Sequence, residues 1–268
     1  MKANLLSVDN QVIGKVDLPK QFEEPVRQDL IKRAVLAVQA NNRQPYGTDP
    51  EAGKKYSISV SKMRHRFRGM YGMGISRSPR KTMSRRGMRI NWVGAFAPNT
   101  VGGYRAHPPK IEKVWSQKIN TKERRKAIRS ALASVISKEI VAKRGHKVPV
   151  NYPMIIEDKF EKLSKTKEVR AVLEKLGLAE ELQRTSEKKV RAGRGKMRGR
   201  RYNKKTGPLI IVSEKCALEK AGMNLPGVNV VEIKNINANL LAPGTVPGRL
   251  TIFTKQAIEK LGKEKLFM

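Results

Sequence analysis

"PLIIVSEKCALEKAGMNLPGVNVVEI", Pro208–Ile233, is the stretch that decides the fold. Leu209–Val212 is an unbroken, short apolar run rich in β-branched residues, as expected of a strand buried on both faces. "SEKCALEKAG" then predicts a short helix with Ser213 as its cap and Gly222 as its stop. "GVNVVEI" predicts the next strand. Strands joined by a helix belong to a parallel sheet covered by helices, so the fold class is α/β.

The same alternation continues outward. "PMIIED", Pro153–Asp158, predicts a strand, followed by a helix around Lys167–Leu176 with Val169, Val172, Leu173 and Leu176 on one side. "AEELQRTSEKKV" adds another helix; "RLTIFT", Arg249–Thr254, and "KQAIEKLG" form a last strand and helix. Near the start, "NLLSV" and "QVIGKV" read as two short strands with a turn at Asp9-Asn10. Pro25 suits a first helical position, and Val26, Leu30, Ile31, Ala34, Val35 and Val38 carry that helix to Asn41. The clearest helix is "INTKERRKAIRSALASVISKEIVAKRGH", with Asn120 and Glu123 spaced as a capping box and Gly145 as the stop. Its apolar stripe is Ile128, Ala131, Leu132, Val135, Ile136 and Ile140.

Charge separates these patterned regions from two others. The chain has 268 residues, 57 Lys+Arg and 23 Asp+Glu, a net charge of +34. Such a charge works against compaction unless a polyanion neutralises it, and it marks a nucleic-acid binder. Ala52–Ile111 holds fourteen Lys/Arg and no acidic residue, and shows no sustained helical or strand period. A segment of that composition does not bury enough apolar surface to offset its ordering entropy. Lys188–Lys205 is a second basic stretch, with ten Lys/Arg in eighteen residues. It leads directly into Leu209–Val212, which places it at an edge or end of the sheet, where α/β folds hold ligands. We therefore expect a long irregular basic extension over about 45–111, a second basic loop over about 187–207, and one globular domain from 1–44 and 112–268.

Catalytic signals are weak. "GRGKMRG", Gly193–Gly199, has the wrong glycine spacing for a dinucleotide fingerprint and precedes a strand instead of following one. His65, His107 and His146 are far apart, and Cys216 is the one cysteine, so neither a metal set nor an internal disulfide is expected. Asp49 and Glu51 sit among Gly and Pro, as in a solvated turn. A lone cysteine fits a reducing compartment, and no apolar run is long enough for a secretory signal or a membrane span. The expectation is no enzyme, no cofactor, no small-molecule substrate and no membrane.

Arginine and glycine point instead to RNA. Arginine forks bridge phosphates, and glycine lets the backbone approach them. In "SKMRHRFRGMYGMGISRSPR", Phe67 and Tyr71 alternate with Arg64, Arg66 and Arg68, an arrangement suited to stacking on unpaired bases. Packing of Phe67 and Tyr71 on the segment's own aliphatic groups is the plainer reading. The expected RNA contacts are Arg64, Arg66, Arg68, Arg77, Arg80, Lys81, Arg85, Arg86, Arg89, Arg105, His107 and Lys110 in the first region. In the second they are Arg191, Arg194, Lys196, Arg198, Arg200, Arg201, Lys204 and Lys205.

"GGYRAHPPKIEKVWSQKINTKERRKAIRSALAS", Gly102–Ser134, resembles the archaeal and eukaryotic branch of the large-subunit ribosomal protein four family. "RAGRGKMRGRRYNKKTGPLIIV", Arg191–Val212, resembles that family's second signature, and "DPEAG" and "YGMGISRSPRK" also fit. The resemblance covers nearly the whole chain. It implies a cytoplasmic ribosomal protein whose α/β domain lies on the large-subunit surface, with ribosomal RNA and other large-subunit proteins as partners. It also implies an extension threaded into RNA whose tip, at Arg77, Arg80, Lys81, Arg85 and Arg86, lines the exit tunnel and meets the nascent polypeptide. Two other readings of the residues remain: an RNA-modifying enzyme or other non-ribosomal RNA-binding protein on an α/β scaffold, and a chromatin-like DNA packager.

Overall fold

In the computed structural model, every residue is described except Ser59, Phe67, Arg68 and Met88. The chain forms two compact units, one of Met1–Asn42 with Ser116–Met268, the other of Arg43–Trp115.

The first unit is built on strands β1 (Lys2–Leu6) and β2 (Val12–Asp17) and helix α1 (Gln28–Asn41). Unit two contributes β3 (Arg80–Arg86) and β4 (Arg89–Gly94). Back in unit one follow α2 (Thr121–Ile136), α3 (Lys138–Lys143), β5 (Met154–Ile156), α4 (Thr166–Leu173), α5 (Ala179–Ser186), β6 (Lys188–Val190) and β7 (Tyr202–Lys204). The chain then forms β8 (Leu209–Val212), α6 (Ala217–Met223), β9 (Asn229–Glu232), α7 (Ala238–Leu241), β10 (Thr251–Thr254) and α8 (Lys255–Lys263).

Six strands form one sheet in the order β2-β1-β5-β10-β8-β9. All neighbours are parallel except β1 and β2, which make an antiparallel hairpin at one edge. Alternation along each strand splits the core into two layers. Leu5, Ile155, Phe253, Leu209 and Ile211 face α1, α2, α7 and α8. Leu6, Met154, Ile156, Ile252, Ile210 and Val212 face α4, α6 and Val141 of α3. Leu209–Val212 is buried at every position, the physical basis of its unbroken apolar run; Thr251–Thr254 is buried likewise, with its two threonine hydroxyls bonded to the Arg249 carbonyl and to Glu161. Each fully buried Leu or Ile contributes about 1.5–3 kcal/mol.

Local capping differs from the sequence expectation at several places. Helix α1 begins at Gln28, not Pro25, because the Pro25 carbonyl accepts from Ser130 Oγ and the Arg27 amide donates to it, holding the backbone extended. No capping box forms on α2: Glu123 pairs with Arg33 at 3.0 Å, and Asn120 makes no side-chain cap. The helix expected to run to Gly145 breaks at Ser137, where the backbone is extended; the Tyr152 hydroxyl donates to the Val135 carbonyl in the last turn. The next helix ends at Leu173 in a wide turn through Gly177, at φ +81°. The basic end of "AEELQRTSEKKV" turns from helix to strand after Ser186. Ser213 does not cap α6, which begins at Ala217; its hydroxyl donates to Glu161 Oε2 at 2.8 Å. Nor does Gly222 stop that helix. It is buried inside it, where a Cβ would lie 2.5 Å from Val230, so it permits α6 to pack closely on β9.

Candidate nucleic-acid interface

Residues 43–115 carry sixteen Lys/Arg against three Asp/Glu. An irregular segment was expected here, yet Arg80–Gly94 forms an antiparallel hairpin. The signal for it is short: Ile90, Trp92 and Gly94 alternate with more exposed Arg89, Asn91 and Val93, and Gly87 follows the first strand at φ +56°. Arg80 stands opposite Gly94 at the open end, and Arg86 opposite Arg89 at the closed end. A bulge between Thr82 and Ser84 twists the ladder.

Of the residues expected at the tip, Arg85 and Arg86 lie beside the closed end and are exposed. Arg80 is turned inward: its guanidinium donates to the Ser76 carbonyl at 2.6 Å and to Ser76 Oγ at 2.9 Å. Lys81 lies over the Tyr56 ring at 4.1 Å. Arg77 is exposed, with its guanidinium 5.6 Å from the Tyr71 ring centre. Tyr71 also receives Arg64, which sits 4.8 Å over the ring and donates to its hydroxyl at 2.7 Å. The ring thus already has cations against it. Arg66 is exposed, and the expected contacts Phe67 and Arg68 lie outside the described residues.

The chain entering and leaving this unit is held by close backbone approach. Gly53 has φ +76°, and a Cβ there would lie 2.5 Å from the backbone of Gly103 and Tyr104. The Thr48 amide donates to the Pro109 carbonyl. Beside this crossing, Arg105, His107 and Lys110 come together around a cavity of about 680 Å³ that Tyr46 and Trp115 also line. Tyr46 and Trp115 stack at 5.7 Å, and Arg43 lies 3.7 Å over Trp115. Sequence reasoning missed this aromatic pair, because its members are separated by most of the basic region.

The second basic stretch is also a hairpin. Lys188 pairs with Lys204 and Val190 with Tyr202, and a tight 3-10 turn spans Arg194–Arg198. Gly193 (φ +77°) and Gly199 (φ +74°) flank that turn in conformations that side chains disfavour. Arg191, Arg194, Lys196, Arg198, Arg200, Arg201 and Lys204 are exposed. Among the described residues, Lys205 is the one expected RNA contact in an ion pair, with Glu187 at 2.7 Å. The hairpin leads into the amino end of β8, so it stands at the opposite end of the sheet from the carboxyl-end crevice where α/β folds hold ligands. What occupies that crevice is Glu161, whose carboxylate accepts from Ser213 and Thr254.

Two buried nodes tie the second hairpin to the sheet, and neither was legible beforehand. Arg249, 2% exposed, donates to the carbonyls of Gly207 (2.8 Å) and Leu240 (3.0 Å) and to Asn229 Oδ1 (2.6 Å). Among the described residues it has no carboxylate partner, and burial pushes its guanidinium down to about 10. Glu181 is fully buried. Burial alone would raise its carboxyl, but hydrogen bonds from Arg184, His146 and the Lys147 amide bring it down to about 2. Arg184 extends from this node to the Thr206 carbonyl at 2.7 Å. Burial pushes the His146 imidazole down, against the pull of the Glu181 carboxylate that lies 2.7 Å from its Nδ1.

The arrangement presents arginine forks on two hairpins rather than a reaction centre. Among the described residues no group of His, Cys, Asp and Glu is disposed to hold a metal ion, and no helix is long and apolar enough to cross a membrane.

The model of the Ribosomal protein L4/L1 family matches residues 16–264. Large ribosomal subunit protein uL4 of Nanoarchaeum equitans is 48% identical over 268 residues, the whole of both chains. Proteins of that name from Archaeoglobus fulgidus and Methanocaldococcus jannaschii are 43% and 44% identical, each over at least 97% of both chains.

Proposed function

This chain belongs to the ribosomal protein L4/L1 family, and from that membership we propose that it is a structural constituent of the large ribosomal subunit, bound to ribosomal RNA and to neighbouring ribosomal proteins. The observation that carries the reading is 48% identity in a match that spans the entire length of both chains. It is not an enzyme. Its work is to bind RNA, to support subunit assembly and to present backbone and side chains at fixed places in a folded polyanion.

The two basic regions divide that work. The chain leaving the β6–β7 hairpin is tied at Thr206 to Arg184 and at Gly207 to Arg249, which favours an anchoring role for Arg191, Arg194, Lys196, Arg198, Arg200, Arg201, Lys204 and Lys205. Residues of about 45–111 serve as an extended loop embedded in RNA, with Arg64, Arg66, Arg68, Arg105, His107 and Lys110 on phosphates and Phe67 and Tyr71 near bases. The β3–β4 hairpin carries Arg77, Arg80, Lys81, Arg85, Arg86 and Arg89 to the wall of the nascent-chain exit tunnel. Arg86 and Arg89 at the closed end make neither a side-chain hydrogen bond nor a ring contact among the described residues, and Arg85 bonds only the nearby Gly87 carbonyl, so these three suit that wall best; Arg80 acts mainly inside the protein.

Deleting Ser76–Gly87 tests the division. It removes five basic side chains and leaves β6–β7 intact. Large subunits should still assemble, while translation of stalling sequences changes. Assembly with unchanged stalling would refute the tunnel role. Failure to assemble would place the anchor in the first basic region.

A further inference from the structure

The base of the β6–β7 hairpin holds more cations than its carboxylates can serve. An open cavity of about 490 Å³ there is walled by Arg144, His146, Arg184, Lys189, Lys204 and Lys205. Arg184 is committed to Glu181, at 2.6 Å and 2.8 Å. His146 and the Lys147 amide fill the same carboxylate. Glu187 is committed to Lys205. Arg144, Lys189 and Lys204 are left without an acidic partner among the described residues.

Arg144 is the sharpest case. One terminal nitrogen donates to the Pro243 carbonyl at 2.5 Å; the other is buried with no hydrogen-bond partner. Burial and the nearby charge of Arg184 push its guanidinium down. Native structures satisfy nearly all buried donors, and an unsatisfied charged one is costly. That nitrogen is closed to solvent, so what Arg144 brings to the cavity is its charge, which beside Lys189 and Lys204 leaves the site short of an anion.

We propose that this cavity binds one backbone phosphate of RNA, whose charge neutralises the uncompensated cations Arg144, Lys189 and Lys204. The assignment rests on the RNA-binding reading above. A phosphodiester fits because it brings several acceptor oxygens and one negative charge, whereas a carboxylate side chain would need a partner protein to enter from the hairpin side. The exposed arginines from Arg191 to Arg201 continue outward from the same strands, so a nucleic-acid strand lying along them would pass the cavity mouth. A phosphate bound there would bridge β6, β7, α5 and the end of α3, locking the hairpin to the sheet.

Two measurements on the full-length chain test this. In the first, millimolar inorganic phosphate is added at constant ionic strength and thermal melting is followed. The wild type should gain melting temperature saturably; Arg144→Gln should lose that gain, and Arg124→Gln, an exposed control on α2, should keep it. In the second, binding to a large-subunit RNA fragment is measured against salt. Arg144→Gln and Lys204→Gln should each lower the magnitude of the slope of log K against log[salt] by about 0.7–0.9. Lys204 is exposed, so its loss leaves the buried network untouched. Equal phosphate response in wild type and Arg144→Gln, or loss of the response in the control, overturns the site. Unchanged salt slopes in both variants while the wild type binds RNA also overturn it and leave the RNA reading standing. A wild type that takes phosphate but no RNA makes the cavity a free-anion site and overturns the RNA assignment itself.

Discussion

Replacing Arg249 isolates what holds the second hairpin to the sheet. In Arg249→Met the buried Gly207 and half-buried Leu240 carbonyls lose their donor, while the exposed Asn229 amide can turn to water. The Gly227 carbonyl keeps its bond from the Gly207 amide at 3.0 Å. Two orphaned carbonyls cost about 1–3 kcal/mol each. Against that, the guanidinium no longer has to be buried; holding it at about 10 rather than 12.5 corresponds to roughly 3 kcal/mol. The net loss should be about 1 kcal/mol, which for a unit of this size lowers the melting temperature by about 2–4 °C. Arg249→Lys should be worse, because it keeps a buried charge but cannot span both carbonyls with one ammonium. Differential scanning calorimetry and urea unfolding read both variants. A lysine variant as stable as wild type, or a methionine variant more stable than wild type, would refute the claim that the fork's hydrogen bonds outweigh its burial.

The Glu181 carboxyl is held below its unfolded range, so its contribution to stability is complete above about pH 4.5 and is lost as pH falls through about 2. An acid titration followed by circular dichroism should therefore show Glu181→Gln less stable at neutral pH and less sensitive to acid over that window; parallel curves would contradict it. Gly53→Ala forces a Cβ into the Gly103 backbone at positive φ, so amide exchange should accelerate within residues 43–115 while the melting of the sheet unit stays put. Replacing Arg194, Lys196, Arg198, Arg200 and Arg201 with Ala should flatten the salt slope of ribosomal RNA binding by about 3.5–4.5 and weaken subunit assembly. Filter binding with a normal slope would count against an anchoring hairpin.

Sequence alone determined the sheet and the polyanion. Leu209–Val212 and Thr251–Thr254 are apolar at both alternations because the sheet is covered on both faces, and that is a local pattern visible without coordinates. The acid-free run of Ala52–Ile111 and the basic run of Lys188–Lys205 are compositional, and composition is enough to call for a nucleic-acid partner. Hairpin β3–β4 was only faintly legible, since its first strand, Arg80–Arg86, is basic and polar with no apolar alternation and only Ile90 and Trp92 of the second carry the signal. The nodes at Arg249 and Glu181 were not legible at all. Arg249 satisfies carbonyls 42 and 9 residues away in sequence, and Glu181 meets His146 across 35. Which arginine of many is buried, and which of its donors is left over, depends on where distant backbone passes. For Arg144 only the folded chain decides it, because the Pro243 carbonyl and the carboxylate already taken by Arg184 are brought beside it by tertiary packing.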